Sequence, residues 1–427
     1  MRPTSHLVAA LTSLAPLLAS CDQVAQAFNC DPNRADYQQS LTESAVLSSA
    51  IPESSDSYPM ALVLSQTAVN SLFQRIADTE LPELSDGVEV LGQTIEISVR
   101  PSLPLLQVGG NASCPSCFGA SLPFALGVSI NGAPASVGSG EIAAQMPIRL
   151  APTADASRTA LLAEFQNSTV LSLQLDVQDD TINDILDDYV SPIASQLVTA
   201  WARTRFSNTS VAEVGTWRLG NGAIALAGRG PIVRPESRTI VLAMQSNLPA
   251  QNAVSANVPS ELPEGAEIGI VIRPELLLAM ARRLTYEGVI PNSYNALGQP
   301  AEGGDVHLGL SNLTSDTGLL RPTVRLWKTD SYCGAANLSA SLGLSVSPSG
   351  VAFSLSDVAV DQGSGTGVIL QQSDQLAGRF LETLAEKMSV TANYREIFGG
   401  ELREQPSVET FRASLDARGI TVYLDLL

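Results

Sequence analysis

Residues able to do chemistry are sparse in this chain of 427 residues, and their spacing limits what they could do. Cys114 and Cys117 form a Cys-x-x-Cys pair, the half-site spacing of a tetrahedral zinc centre, but no second cysteine pair or histidine pair completes four ligands. Disulfide chemistry is the better reading. Beyond Cys21 the four cysteines Cys30, Cys114, Cys117 and Cys333 allow three pairings in an oxidising compartment, and Cys114 to Cys117 with Cys30 to Cys333 is the preferred one. His307, the only histidine besides His6, lies in the alternating run Asp305 to Leu310, where a surface or edge histidine is expected rather than a catalyst. No Gly-x-Ser-x-Gly elbow, Gly-x-x-x-x-Gly-Lys loop or Gly-x-Gly-x-x-Gly fingerprint occurs. Gly363-Ser-Gly-Thr-Gly367 lacks a lysine and reads as a flexible turn. Asp179, Asp180, Asp184, Asp187 and Asp188 are acids at the start of a helical pattern, where they complement the helix dipole, rather than a calcium site. The expectation is a non-enzyme without metal or cofactor.

The elements that would carry any other function are legible as a pattern that occurs twice. Met60 to Leu64 is a short apolar strand leading into the helical stripe Ala68, Val69, Leu72, Phe73, Ile76. Glu267 to Ile272 leads likewise into Leu276, Leu277, Met280, Ala281, Leu284, in the same register 208 residues later. Cys117 to Ile130 aligns without a gap on Cys333 to Val346 at an offset of 216. Each copy then has a second amphipathic helix, through Ile182, Ile185, Leu186, Tyr189, Val190, Ile193, Leu197 and Trp201 in the first and Leu376, Phe380, Leu384 and Met388 in the second. Two long copies predict two similar domains rather than a solenoid of short units. The remaining segments alternate at period two, with hairpin cues at Asn131-Gly132 and Asn221-Gly222.

Leu7 to Leu18 is an apolar run too short to span a bilayer, and it ends at Leu18-Ala19-Ser20-Cys21. That string resembles the bacterial lipobox, in which cleavage precedes the cysteine and the cysteine is then diacylated. It implies an exported protein, lipid-anchored through Cys21 to the inner or outer membrane of a bacterial cell envelope. Residues 21–57 are polar and acidic with little periodicity, and read as a flexible tether. The chain carries 24 basic against 43 acidic residues, a net charge of −19, so nucleic acid is not expected as a partner. The same acidity opposes adsorption to anionic lipid, leaving the anchor or apolar loops to make any membrane contact.

The order strand, long helix, meander, second helix and strand, occurring twice, resembles the tubular lipid-binding superfamily, whose two-domain members include bactericidal permeability-increasing and lipid-transfer proteins. The resemblance rests on Ser65 to Ile76, Arg273 to Ile290, the proline-led strands Pro104 to Val108 and Pro322 to Leu326, and the two late helices, and it covers nearly the whole chain from about residue 58. It implies an α+β fold of two tandem barrels of strongly curved antiparallel sheet, each wrapped around long amphipathic helices. The expected divisions are a signal peptide at 1–20, the tether at 21–57, a first domain at 58–250, a linker at 251–265 and a second domain at 266–427.

It also implies apolar slots for lipid acyl chains, the first lined by Leu64, Leu72, Phe73, Ile76, Ile185, Leu186 and Tyr189, the second by Leu277, Met280, Leu284, Phe380 and Leu384. The chain departs from the family in two respects: it has no basic cluster of the kind that binds lipopolysaccharide, and its cysteines do not reproduce the family's first-domain disulfide. The function expected is non-enzymatic binding, sequestration or transfer of a lipid or other apolar small molecule. The alternative is a structural envelope lipoprotein with filled cores that docks a protein partner.

Overall fold

The computed structural model describes residues 29–53, 56–76, 81–111, 113–153, 158–177, 186–207, 210–215, 217–248, 255–295, 297–330, 332–364, 367–391 and 408–427. The signal segment and Cys21 lie outside these residues, as do Asp179, Asp180, Asp184 and Ile185.

The first element departs from expectation. Residues 31–45 of the expected tether form helix α1 (Asp31–Ala45), which buries one apolar side chain, Tyr37, and has no apolar stripe. Polar pins and a covalent bond hold it instead. Cys30 is disulfide-bonded to Cys333, Asp36 accepts a hydrogen bond from Trp327 Nε1 at 2.6 Å and pairs with Arg325 at 2.6 Å, and Arg34 Nε donates to the Thr329 carbonyl at 2.9 Å. Hydrophobic periodicity cannot report a helix docked in this way.

Next come β1 (Met60–Ser65) and α2 (Gln66–Ile76). Ser65 Oγ accepts the Ala68 N–H at 3.0 Å, which caps the helix start. Ala68, Val69, Leu72 and Phe73 on its inner face have no exposed surface. The meander follows as β2 (Leu84–Val90), β3 (Gln93–Pro101), β4 (Leu105–Val108), β5 (Phe118–Ile130), β6 (Ala133–Met146), β7 (Ile148–Pro152), β8 (Arg158–Ala163) and β9 (Thr169–Val177). A π-helical turn, Leu186–Val190, runs into α3 (Ser191–Arg205). The half closes with β10 (Ser210–Gly215), β11 (Trp217–Leu219), β12 (Ile224–Arg234) and β13 (Thr239–Ser246). Asn70 stitches α2 to the meander, its amide both accepting from and donating to the Leu106 backbone at 2.8 Å.

The second half begins with β14 (Ile268–Ile272) and α4 (Pro274–Tyr286). These start at 268 and 274, each 208 residues after β1 and α2 at 60 and 66. Then come β15 (Ser293–Tyr294), β16 (Val306–Asp316), β17 (Leu319–Lys328), β18 (Gly334–Ser347), β19 (Gly350–Ser364), α5 (Gly367–Met388), β20 (Val390–Thr391), β21 (Val408–Asp416) and β22 (Gly419–Leu426). Of the glycine-rich stretch expected as a turn, Gly363 and Ser364 end β19 and Gly367 begins α5, while residues 365–366 lie outside the described residues.

Three larger sheets and a small one result. Sheet β2-β3-β5-β6-β9, with β4 also on β5, belongs to the first half, as does β10-β8-β7. Sheet β15-β16-β17-β18-β19-β20 belongs to the second. The third, β11-β12-β13-β1-β14-β22-β21, draws strands from both halves, with β1 at its centre pairing Leu62 with Leu242 on one side and Ile270 on the other. Every residue of β13 and β14 is buried, and β1 is buried up to Ser65.

The architecture is α+β, with two curled half-barrel antiparallel sheets. The helix α3 packs against β2, β3, β5 and β9 of the first sheet. Among the described residues β2 and β9, the two edges of that sheet, do not hydrogen-bond to each other.

Candidate binding groove

A groove of about 920 Å³ lies where the edge of the first half-barrel meets α3. One wall is the approach to β2 and its first residues, Leu81, Pro82, Leu84 and Asp86. The other is two adjacent i, i+4 rows on α3: Gln196, Ala200 and Thr204, and Leu197, Trp201 and Arg205. Nine steps along the helix from Gln196 to Arg205 give the groove a length of about 14 Å.

Its lining is mixed, with Leu81, Pro82, Leu84, Leu197, Ala200 and Trp201 apolar and Asp86, Gln196, Thr204 and Arg205 polar or charged. Leu81 is 37% exposed and Trp201 only 9%, while Leu84 and Leu197 are half-buried. Behind the wall an aromatic cluster holds Trp201 in place: its ring meets Phe206 edge-on at 5.2 Å, and Phe206 contacts Phe165 at 5.1 Å and Phe73 at 5.5 Å.

The residues expected to line slots occupy other positions. Leu64, Leu72, Phe73, Phe380 and Leu384 have no exposed surface, Leu277 and Leu284 are 5% and 7% exposed, and Met280 packs partly buried against the same contiguous core. None of them lines this groove. Phe73 supports its back wall from behind. Tyr189 is 36% exposed, and the side chains of Ile76 and Leu186 lie outside the described residues.

Leu197 and Trp201 are visible in the sequence as members of an amphipathic stripe. Nothing in sequence marks Leu81, Pro82, Leu84 or Asp86 as their counterparts, because the approach of β2 to α3 spans more than a hundred residues.

Cys114 is disulfide-bonded to Cys117 in the loop before β5, and Gln145 Nε2 donates to the Cys114 carbonyl at 3.1 Å. His307 is a correction: it is buried at 9% exposure, and β16 is paired there on both sides, with Ser293 and Trp327. Its Nε2 lies 3.1 Å from Thr329 Oγ1, and Tyr37 covers its ring. Burial holds the imidazole below its ordinary pKa, with Asp305 acting in the opposite direction. Among the described residues no group of His, Cys, Asp and Glu could hold a metal ion, and no helix is long and apolar enough to cross a membrane.

Fold and groove together define an α+β protein of curled antiparallel half-barrels with an open, apolar-walled cleft beside a helix. No family model matches the chain, and no curated protein does. Among solved structures, P47 from Clostridium botulinum A2 is similar at 10% identity over 87% of this chain and 98% of that chain, with a TM-score of 0.44. A lipopolysaccharide binding protein is similar at 10% identity over 87% of this chain and 99% of that chain, with a TM-score of 0.36. Likeness at these scores carries no argument about what the groove holds.

Proposed function

We propose that this chain binds a lipid acyl chain or another apolar molecule in the groove between β2 and α3, with no covalent step. The groove itself carries the proposal: its volume of about 920 Å³ falls within the range of about 300–1,000 Å³ usual for small-molecule sites, and its lining is more apolar than polar. Each methylene of a bound chain that the apolar lining takes out of water would contribute about 0.8 kcal/mol. The repeated order of elements supports two units of the tubular lipid-binding kind. The Leu18 to Cys21 string supports export and anchoring through Cys21, with the groove carried at the surface of a bacterial membrane.

Native mass spectrometry of the chain beginning at Asp22, followed by solvent extraction and lipid analysis, tests this. Stoichiometric lipid is expected, reduced on Ala200→Trp, which narrows the groove beside Trp201. Bare protein that takes up no lipid from offered vesicles would overturn the proposal and favour a structural envelope lipoprotein.

A further inference from the structure

Cys114 and Cys117 are bonded to each other in the loop between β4 and β5, across Pro115 and Ser116. A link over so few residues constrains the unfolded chain little, so loop closure gives only a weak reason for it. The second half shows the contrast. Its Cys333 stands at the position corresponding to Cys117, 216 residues later, but the counterpart of Cys114 is Asp330, and Cys333 is bonded instead to Cys30, 303 residues away. Cys30 and Cys333 are 8% and 3% exposed, which shuts that bond away from thiols in solution.

The two ends of the short bond differ in access. Cys117 is buried at 2% exposure, whereas Cys114 is half-buried among the exposed residues Ser113, Pro115 and Ser116. Exchange begins with a thiolate attacking one sulfur while the other leaves, so the accessible sulfur of Cys114 takes the attack.

The loop is held by contacts that do not pass through the sulfurs. Cys114 N–H donates to the Asn111 carbonyl and Cys117 N–H to the Cys114 carbonyl, each at 3.1 Å. Gln145 Nε2 of β6 donates to the same Cys114 carbonyl at 3.1 Å, and Ser113 N–H donates to Asn111 Oδ1 at 2.9 Å. Gly110 lets the loop fold back on itself: a Cβ there would collide with the Cys114 carbonyl oxygen and lie 2.6 Å from Gln145 Nε2 and 3.0 Å from Cys117 Cβ. These contacts keep the two Cα atoms 5.4 Å apart, a separation a disulfide spans. Opening the bond therefore leaves two thiols facing each other at high effective concentration, ready to close again.

We infer that Cys114-Pro-Ser-Cys117 is an exchangeable dithiol–disulfide couple that accepts electrons from a dithiol, with Cys114 the attacked sulfur and Cys117 the leaving one. In the first step a thiolate of the donor bonds to Cys114 Sγ, the Cys114–Cys117 bond breaks, and Cys117 leaves as a thiolate that takes up a proton. In the second the donor's other thiol loses its proton and attacks the donor sulfur of the mixed disulfide, and Cys114 leaves as a thiolate and is protonated. Two electrons and two protons pass to the pair, and the donor becomes a disulfide. The inference stands independently of what the groove binds.

The test uses the full chain carrying Cys21→Ser, with dithiothreitol as the dithiol, alkylation of the released thiols and peptide mass spectrometry to locate them. Without denaturant, Cys114–Cys117 should open at least about a hundredfold faster than Cys30–Cys333, because only its sulfur is accessible in the folded chain. The circular dichroism spectrum should be retained, and the bond should close again in oxidised glutathione. Single variants read the direction of attack. Cys114 in Cys117→Ser should form a mixed disulfide with oxidised glutathione at least about tenfold faster than Cys117 does in Cys114→Ser. Opening of both bonds together, or of Cys114–Cys117 only as the chain unfolds, overturns the inference and makes the bond structural. Faster capture of Cys117 overturns the assignment of the attacked sulfur.

Discussion

Tyr37 of α1 lies flat on His307 of β16, ring centroids 4.0 Å apart and planes inclined by 12°. Tyr37 also meets the Trp327 ring at 5.5 Å, so this one side chain joins α1 to two neighbouring strands of the second half. Because Tyr37 is the only buried residue of α1, replacing it should undock the helix. Tyr37→Ala is expected to cost about 3 kcal/mol and to raise hydrogen exchange across residues 31–45 selectively. Unchanged exchange there would show that the polar pins alone hold α1.

The same stack predicts a pH dependence. Burial depresses the folded-state pKa of His307, so the neutral imidazole is the form the fold prefers. As pH falls through the unfolded value of about 6.5, the unfolded chain takes up the proton first, and stability drops until the folded histidine protonates too. The groups around it are Asp305, which pairs with Lys328 at 2.8 Å, and Asp36, which pairs with Arg325. His307→Gln should flatten the part of the thermal-stability profile between about pH 6.5 and the lower folded pKa relative to wild type. Parallel profiles for wild type and variant would refute the assignment.

The two disulfides should differ in worth. Cys30 and Cys333 are 303 residues apart, whereas Cys114 and Cys117 are separated by 3. Loop-closure entropy makes the long link the more stabilising, by about 4 kcal/mol. Denaturant titration of Cys30→Ser/Cys333→Ser against Cys114→Ser/Cys117→Ser should reproduce that order. Equal losses would mean that the covalent constraint on the unfolded chain is not what stabilises.

Groove and core should separate under substitution. Leu197→Glu places a carboxylate on the half-buried groove wall and should reduce uptake of a fluorescent fatty acid at least tenfold, with the fold retained. Phe73→Ala removes a ring with no exposed surface and should cost about 3–5 kcal/mol, seen as a lower denaturation midpoint. If Leu197→Glu leaves uptake intact while the folded Phe73→Ala protein loses it, the ligand sits in the core beneath α2 instead.

Much of the fold was legible because it is local. β1 and α2 announce themselves as an apolar run followed by a 3.6-residue stripe, and the same signal marks β14 and α4. Asn131-Gly132 marks a hairpin turn because its geometry demands positive φ. Where local rules were silent or broken, reading failed: α1 has no stripe, and Leu91-Gly92 makes the same turn as Asn131-Gly132 with a residue no propensity selects.

The candidate site was less legible. The apolar positions Leu64, Leu72, Phe73, Leu277, Phe380 and Leu384 were recognisable as inward-facing, but period alone cannot distinguish a packed core from the lining of a slot. That distinction depends on whether another element fills the space opposite them. Phe165 and Phe206 do so for Phe73.

By itself, then, the sequence determined the repeated order of strands and helices, the inward faces of those helices and the acidic, histidine-poor chemistry of the chain. Only the tertiary structure decided that β1 and β14 share one sheet, that α1 rests on His307, and that a groove lies between Leu84 and Trp201. The reason is physical. Periodicity and turn chemistry are enforced between neighbours in the chain, whereas a groove is the gap left when distant segments meet, and its width depends on how far the β2 edge stays from α3 when the sheet curls.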